Sequence, residues 1–488
     1  MSAGEDTAAV VARPRTVGVA LCLLVFAGPG LRTSLLGSLL VAEAAIGKAG
    51  GLSDQALAIL VESVVFGSLV ATLLLPAMSR RLGVRHLSIT ASIAVAVLLA
   101  LTFWIAPHMT PLPRTAWMLF AGATALGFAS AVLSPVTQEM LCRVSASDPG
   151  ARHMLQTVWS AGQPAGFIVG SLAGGVAMAV GGWPGAFAVP LGFAVLTALP
   201  LVFARQLAFD AEGDGEAADK EGIGELAVLL VAVGAFEVWS TIGSLHSWLG
   251  PWTLAALFAT VVAVWASVVQ LRRSPRPTLS PAPYGVAGFT AAAVVLLLLQ
   301  LPTTAEFEVL LLTDLAGTHP EALGDRAALG NVGQIAGTAL AGVLMLRRRF
   351  GLALVAGLVI TAAGLAAYVA YPWMSGLAFI TVTRVVVGLG SGLATPVLFV
   401  AALDRMPASL SGAAGTWLVL ILIGGTEVGL ALLDIVLAGA TRLTGSPLLG
   451  YVVVEAVQAV LGVSVAVVAV VCLRRKQIAV TGAAAPPA

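Results

Sequence analysis

Fourteen stretches of this sequence are each long and apolar enough to cross a lipid bilayer, and this feature restricts the fold more than any other. A spanning helix needs about 20 mostly apolar residues. The chain has 488 residues, 59% hydrophobic and only 10% charged, whereas a soluble protein carries about 25% charged residues. The stretches lie near residues 17–46, 55–78, 87–106, 115–142, 154–180, 184–204, 224–244, 252–271, 284–314, 327–346, 352–371, 376–402, 412–438 and 447–473.

The basic residues between these spans alternate in a way that fixes an orientation. With the N-terminus inside, the inner segments hold 19 Lys and Arg residues and the outer segments hold four. Cytoplasmic loops of membrane proteins carry the excess of basic residues. The sequence therefore predicts an even number of spans near fourteen, with both termini cytoplasmic, in the cytoplasmic (inner) membrane of a bacterium.

Two pieces of sequence recur at similar offsets and indicate a duplicated unit. The segment from Gly127 to Pro135 in span four matches the segment from Gly388 to Pro396 in span twelve, at an offset of 261. The turn containing Arg80, Arg81 and Gly83 matches the turn 347–351 at an offset of 268. Eight spans separate the copies, so a six-span unit repeats around two inserted spans.

This organisation divides the chain into two helical bundles with connecting segments. The acidic, Gly-rich stretch Asp210–Glu225 is predicted to be a solvated linker. The predicted parts are a cytoplasmic tail (1–16), a six-helix bundle (17–204), an acidic linker (205–223), an inserted helix pair (224–272), a second six-helix bundle (284–473) and a cytoplasmic tail (474–488).

The order of these features resembles the major facilitator superfamily, and most closely its fourteen-span drug/proton antiporter branch. The closest local similarity is a stripe of glycines in span five, where Ser171 stands at the family's usual proline. The resemblance implies an all-α membrane protein of two six-helix bundles plus two inserted helices. The glycines of the stripe are Gly162, Gly166, Gly170, Gly174 and Gly175.

Three charges that the family pattern leads one to expect are missing or inverted. Ala123 replaces the arginine of span four, although its repeat mate is Arg384, and Arg32 stands near the position of a span-one aspartate. Arg80 and Arg348 occupy the acidic position of the cytoplasmic loop motif. These differences leave the fold in place but put the family's usual coupling mechanism in question.

Ionisable side chains in the spans indicate the candidate transport pathway. A charge in lipid costs free energy unless it has a charged partner or lies in a water-filled cavity. Pro29 and Pro302 are predicted to break spans one and nine near a central binding site. The resemblance implies that Glu237, in the inserted pair, lies outside the transport core. The predicted substrate or proton pathway residues are Arg32, Glu62, Gln300, Glu306, Arg384 and Glu427.

The residues also exclude several classes of function. A net charge of +1 argues against a nucleic-acid partner, and there is no phosphate-binding Gly-x-x-x-x-Gly-Lys-Ser/Thr loop. The three cysteines and five histidines have no metal-ligand spacing. We therefore expect neither an enzyme nor a cofactor or metal.

The expected function is secondary active transport by a monomer in the lipid bilayer. The favoured hypothesis is export of a small amphipathic organic compound in exchange for protons, through an apolar bundle with a cavity lined by spans one, two, nine and ten. One alternative is an uptake symporter or uniporter of the same fold. The other is a membrane sensor or assembly protein that carries no flux.

Overall fold

The computed structural model is all-helical in the part of the chain that it describes. It describes residues 15–50, 52–105, 113–145, 149–203, 222–245, 247–274, 277, 279–303, 320–371, 373–374 and 377–475. The fourteen α-helices of these segments follow the order of the fourteen predicted spans. They are α1 (Arg15–Gly50), α2 (Asp54–Leu82), α3 (Val84–Ile105), α4 (Pro113–Val144), α5 (Pro149–Gly185), α6 (Ala188–Phe203), α7 (Gly222–Leu245), α8 (Pro251–Arg273), α9 (Phe289–Gln300), α10 (Pro320–Leu346), α11 (Phe350–Tyr368), α12 (Leu377–Leu403), α13 (Ala408–Thr444) and α14 (Pro447–Arg474).

Twelve helices of the described segments are long and apolar enough to cross a membrane. The other two, α6 and α9, are apolar but shorter, with 16 and 12 residues. Many of the large apolar side chains of α8 are exposed, including Phe258, which is 72% exposed, and Trp265, which is 67% exposed. Such a surface is stable only against lipid or another apolar partner, so the chain is a multi-pass membrane protein.

Helix pairs of the first half recur in the second half at the positions that a duplication predicts. Helix α2 packs along α4 as α10 packs along α12, and α3 packs on α6 as α11 packs on α14. Gly127 of α4 lies against the backbone oxygen of Val64, and its repeat mate Gly388 lies against that of Gly330. Pro135 and Pro396 lie inside the continuous helices α4 and α12.

The glycine stripe of α5 brings this helix against the backbone of α1. A Cβ atom added at Gly162, Gly166 or Gly170 would collide with backbone oxygens of α1. Gly174 and Gly175 face looser surroundings, with nearest atoms 3.3 Å and 3.7 Å from such a Cβ. The first three glycines therefore set the distance between the two helices.

The predicted break of span one is wrong. Helix α1 runs without interruption through Pro29. Gly28 and Gly30 serve packing instead, because a Cβ at Gly28 would meet the side chain of Thr137 and one at Gly30 the ring of Phe193. The predicted break of span nine is present, since α9 ends at Gln300 and a turn follows.

The two copies of the Arg-rich turn differ in backbone geometry. Gly83 ends α2 with φ at +71°, as glycine readily allows. In the second copy the positive φ, +56°, falls on Arg348, whereas Gly351 lies in the first turn of α11. Arg81 is an exposed residue of the last turn of α2, where Arg80 also lies.

The inserted helices α7 and α8 pack on each other, and α7 also contacts α2 and α13. Helix α7 begins at Gly222, two residues before the predicted start of the inserted pair at 224, and Glu225 lies in its first turn. Its carboxylate is buried and accepts a hydrogen bond from the amide of Leu279 at 3.4 Å. A buried carboxylate needs such a donor, so this hydrogen bond stabilises the acidic side chain in the first turn of the helix.

The segment between α8 and α9 is anchored to α13. The indole of Trp417 donates a hydrogen bond to the Ser280 carbonyl at 2.8 Å. The ring of Tyr284 lies 5.2 Å from that of Trp417, edge to face. Burial raises the pKa of Tyr284 to about 12, so its phenol stays neutral at physiological pH.

Candidate functional site

A cavity of about 180 Å³ lies between the two halves, near the middle of the long helices. Helices α1 and α5 of the first half and α9, α10, α12 and α13 of the second contribute to its wall. Its lining residues are Arg32, Thr33, Leu36, Trp159, Ser160, Gln163, Phe167, Gln300, Thr303, Asn331, Gln334, Thr338, Ser391, Thr395, Leu422, Ile423, Thr426 and Glu427.

Hydrogen-bonding side chains dominate this wall. Four carboxamides contribute donors and acceptors, and hydroxyl groups of Ser and Thr lie between them. The wall contributed by α10 and α12 is entirely polar, whereas α5 and α13 add Trp159, Phe167, Leu422 and Ile423. The cavity therefore has a polar side and a mixed side within a largely apolar bundle.

Two charged groups of opposite sign reach the cavity from opposite halves. Arg32 projects from α1 and Glu427 from α13. Glu427 is 8% exposed, and Nε of Arg32 is buried. Charges shielded from bulk water interact more strongly with a ligand than exposed charges do. These two groups can therefore bind a solute that carries a charge.

Contacts within the first half hold the cavity wall of α5 in place. The hydroxyl of Thr33 donates to the Gln163 carbonyl at 2.6 Å, which ties α1 to α5. The indole of Trp159 is fully buried and donates to the Ser134 carbonyl and the Thr137 hydroxyl, both at 3.2 Å. The hydroxyl of Ser160 is buried without a hydrogen bond among the described residues. It can therefore bond to a solute or to water in the cavity.

The halves meet below the cavity, at the end that the basic residues predict to be cytoplasmic. A guanidinium nitrogen of Arg152 in α5 donates to the Leu403 carbonyl at 3.1 Å, at the end of α12. The rings of Trp159 and Phe399 lie 5.1 Å apart, and those of His153 and Phe350 lie 4.9 Å apart. All three contacts join one half to the other at this end.

The structure brings three of the six predicted pathway residues to the cavity. These are Arg32, Gln300 and Glu427. Arg384 is buried between α12 and α10, where its side chain covers Gly330. Glu62 lies against Glu237 of α7, and none of the described cavity-lining residues belongs to α2, contrary to expectation. Glu306 lies outside the described residues.

The uncharged polar lining was not predicted, although the sequence contains a pattern that indicates it. Asn331, Gln334 and Thr338 follow each other at intervals of three and four residues, as do Ser391 and Thr395 in α12. This spacing places polar groups on one face of a helix. A polar stripe along an otherwise apolar span would have indicated the cavity wall.

Comparisons with known proteins agree with this architecture. A family model described as the Major Facilitator Superfamily matches residues 21–421. No curated protein matches the chain in sequence. Among solved structures, the proton:xylose symporter XylE bound to 6-bromo-6-deoxy-D-glucose has a TM-score of 0.65 at 12% identity, over 93% of this chain and 95% of that one.

Two further solved structures share the fold. The human organic anion transporter MFSD10 has a TM-score of 0.60 at 14% identity, with 94% of this chain and 100% of that chain covered. A variant of the E. coli fucose:proton symporter FucP has a TM-score of 0.58 at 12% identity, with 93% and 97% covered. At these identities the likeness concerns the fold.

Proposed function

Since the chain belongs to the major facilitator superfamily, we propose that it is a secondary active transporter that exports a small amphipathic organic compound in exchange for protons. The observation that carries the proposal is the cavity between the two halves, to which one half contributes Arg32 and the other Glu427. A midplane site shared by two related bundles suits transport by rocking of one bundle against the other.

The cavity wall narrows the class of compound. A solute with several hydrogen-bonding groups on one side would satisfy the amides and hydroxyls of α10 and α12, which otherwise stay hydrated. An apolar part of the solute would contact Phe167, Leu422 and Ile423 on the mixed side. The substrate proposed is therefore amphipathic and richer in polar groups than the overall composition suggests.

Export in exchange for protons is supported by two features. The glycine stripe of α5 packs on α1, in the helix that resembles the antiporter branch. Glu427 is a buried carboxyl in the cavity, and such a group can take up a proton when access alternates between the two sides. Competition between the proton and the solute for the same cavity would couple their opposite movements.

Uptake together with protons is the second candidate. Two similar structures are sugar:proton symporters by their descriptions, and the polar wall of the cavity suits hydroxyl-bearing solutes equally. The direction of net movement separates the two functions. In everted vesicles energised to be acid inside, an exporter accumulates its solute, whereas a symporter does not.

We expect expression of the chain to protect a bacterial strain without its own efflux pumps against at least one amphipathic toxic compound. Glu427→Gln should remove the protection, because the amide cannot carry the proton. The matched control is Asp434→Asn, two turns further along α13 and outside the cavity lining, which should protect as the wild type does. Growth is scored over a compound panel at equal membrane protein levels. Protection by Glu427→Gln equal to the wild type's would contradict proton exchange at this residue.

A further inference from the structure

Two carboxyl groups meet at the junction between the transport core and the inserted helices. The side chains of Glu62 in α2 and Glu237 in α7 hydrogen-bond to each other. Glu237 is 8% exposed and Glu62 is half-buried. A carboxylate only accepts hydrogen bonds, so this contact requires a proton on one of the two groups. The pair is therefore placed to hold one proton between two oxygen atoms.

Within the described part of the chain, Glu62 is the ionisable group that acts on Glu237. Oε1 of Glu237 is buried and has no hydrogen-bond partner among the described residues. The remaining described titratable side chains of the helices packed around the pair lie elsewhere on those helices. They include Arg32, Glu43 and Lys48 on α1, Arg85 and His86 on α3, Glu139 on α4, Glu225 on α7, Arg272 and Arg273 on α8, and Glu427, Asp434 and Arg442 on α13.

Helix α7 also connects this pair to the other half of the molecule. It contacts α2 of the first half through Glu237. It contacts α13 of the second half through Trp239, which packs with Trp248 and Ala431 in one apolar cluster. A rocking movement of one half against the other must therefore shift α7 relative to α2 or to α13.

From these contacts we infer that Glu62 and Glu237 form a proton-binding site, separate from the central cavity, through which the inserted helices sense and bias the movement of the two halves. Binding adds one proton from water to two carboxylates and forms the O–H···O hydrogen bond. Release returns the proton to water and leaves two like charges that repel. The coupling part of this inference rests on the proposed transport function, but the proton site itself does not.

The test uses infrared spectroscopy on the purified full-length protein in lipid nanodiscs, with no substrate and no flux. At neutral pH the wild type should show the C=O stretching band of a protonated, hydrogen-bonded carboxyl group, which loses intensity at alkaline pH. Glu62→Gln and Glu237→Gln should each lose the same component of this band, because the remaining carboxylate accepts its hydrogen bond from the amide, whereas other buried carboxyl groups keep theirs. Asp434→Asn, a half-buried carboxyl on α13 outside the pair, should keep it.

The outcomes decide between the site and a chance contact. Loss of the band in either glutamine variant, with retention in Asp434→Asn, supports the site. Retention of the full band in both variants overturns it. If neither variant assembles, the conservative variants Glu62→Asp and Glu237→Asp decide: a shifted or weakened band in either supports the site, and a band unchanged in both overturns it. A protein with the band but without proton-driven transport would refute the proposed function alone.

Discussion

Leucine in place of Gly166 is expected to prevent assembly of the folded protein. A Cβ at this position would collide with the backbone oxygen of Gly30 and with the Thr33 hydroxyl. Backbone atoms of two long helices cannot move apart locally without losing the contact along both, so the whole α1–α5 interface must open. Overpacking costs about 1–3 kcal/mol, and occasionally more. Because the collision is with backbone atoms, we expect the destabilisation by Gly166→Leu to lie at the upper end of this range.

The measurement is the monodisperse peak in size-exclusion chromatography of the detergent-solubilised protein, at matched expression. Gly166→Leu should lose most of the peak, and Gly166→Ala part of it. Gly175→Ala is the matched control from the same stripe, because its Cβ would meet only a Val41 methyl group at 3.7 Å, and it should behave as the wild type does. A wild-type peak for Gly166→Leu would mean that the two helices are not in direct backbone contact.

Glutamine in place of Arg32 is expected to reduce transport at least tenfold while leaving assembly intact. Hydrogen bonds to charged groups contribute about 1.5–3 kcal/mol, and 1.4 kcal/mol corresponds to about a tenfold change in affinity. Arg32 is the guanidinium in the cavity lining. Its replacement therefore removes a charge that either binds the solute or balances Glu427.

Initial rates of uptake into everted vesicles measure this effect, with the compound that the protection panel identifies. Arg442→Gln is the control, because this arginine lies at the exposed end of α13 and bonds to the Ser247 hydroxyl at 3.0 Å. Its rate should equal that of the wild type. An unchanged rate for Arg32→Gln would remove this residue from solute binding and from proton coupling.

Local patterns in the sequence were enough to predict the helices and their order. Apolar length, alternating basic loops and the repeated Gly127 and Gly388 segments predicted fourteen helices in the observed order. The glycine spacing of α5 predicted a close helix contact, which the structure provides along α1. Each of these signals is contained in one helix or one repeat. It can therefore be recognised without knowledge of the tertiary arrangement.

The features that could not be predicted from the sequence depend on contacts between helices that are distant in the chain. Pro29 predicts a break, yet α1 stays continuous. Glu62 was expected to face the cavity, but the rotation of α2 turns it toward Glu237. The polar wall of α10 and α12 consists of uncharged residues that cost little individually, so none of them stood out as a charge does.

As proposed above, the two halves enclose one cavity that opens alternately to each side of the membrane. The most direct test places a single cysteine at Ser391 in the cavity wall, after replacement of Cys22, Cys142 and Cys472. A membrane-impermeant thiol reagent is then applied to right-side-out and to everted vesicles. Labelling is expected from both sides, and the transported compound should reduce it. Labelling from one side alone, unchanged by the compound or by a proton gradient, would contradict alternating access.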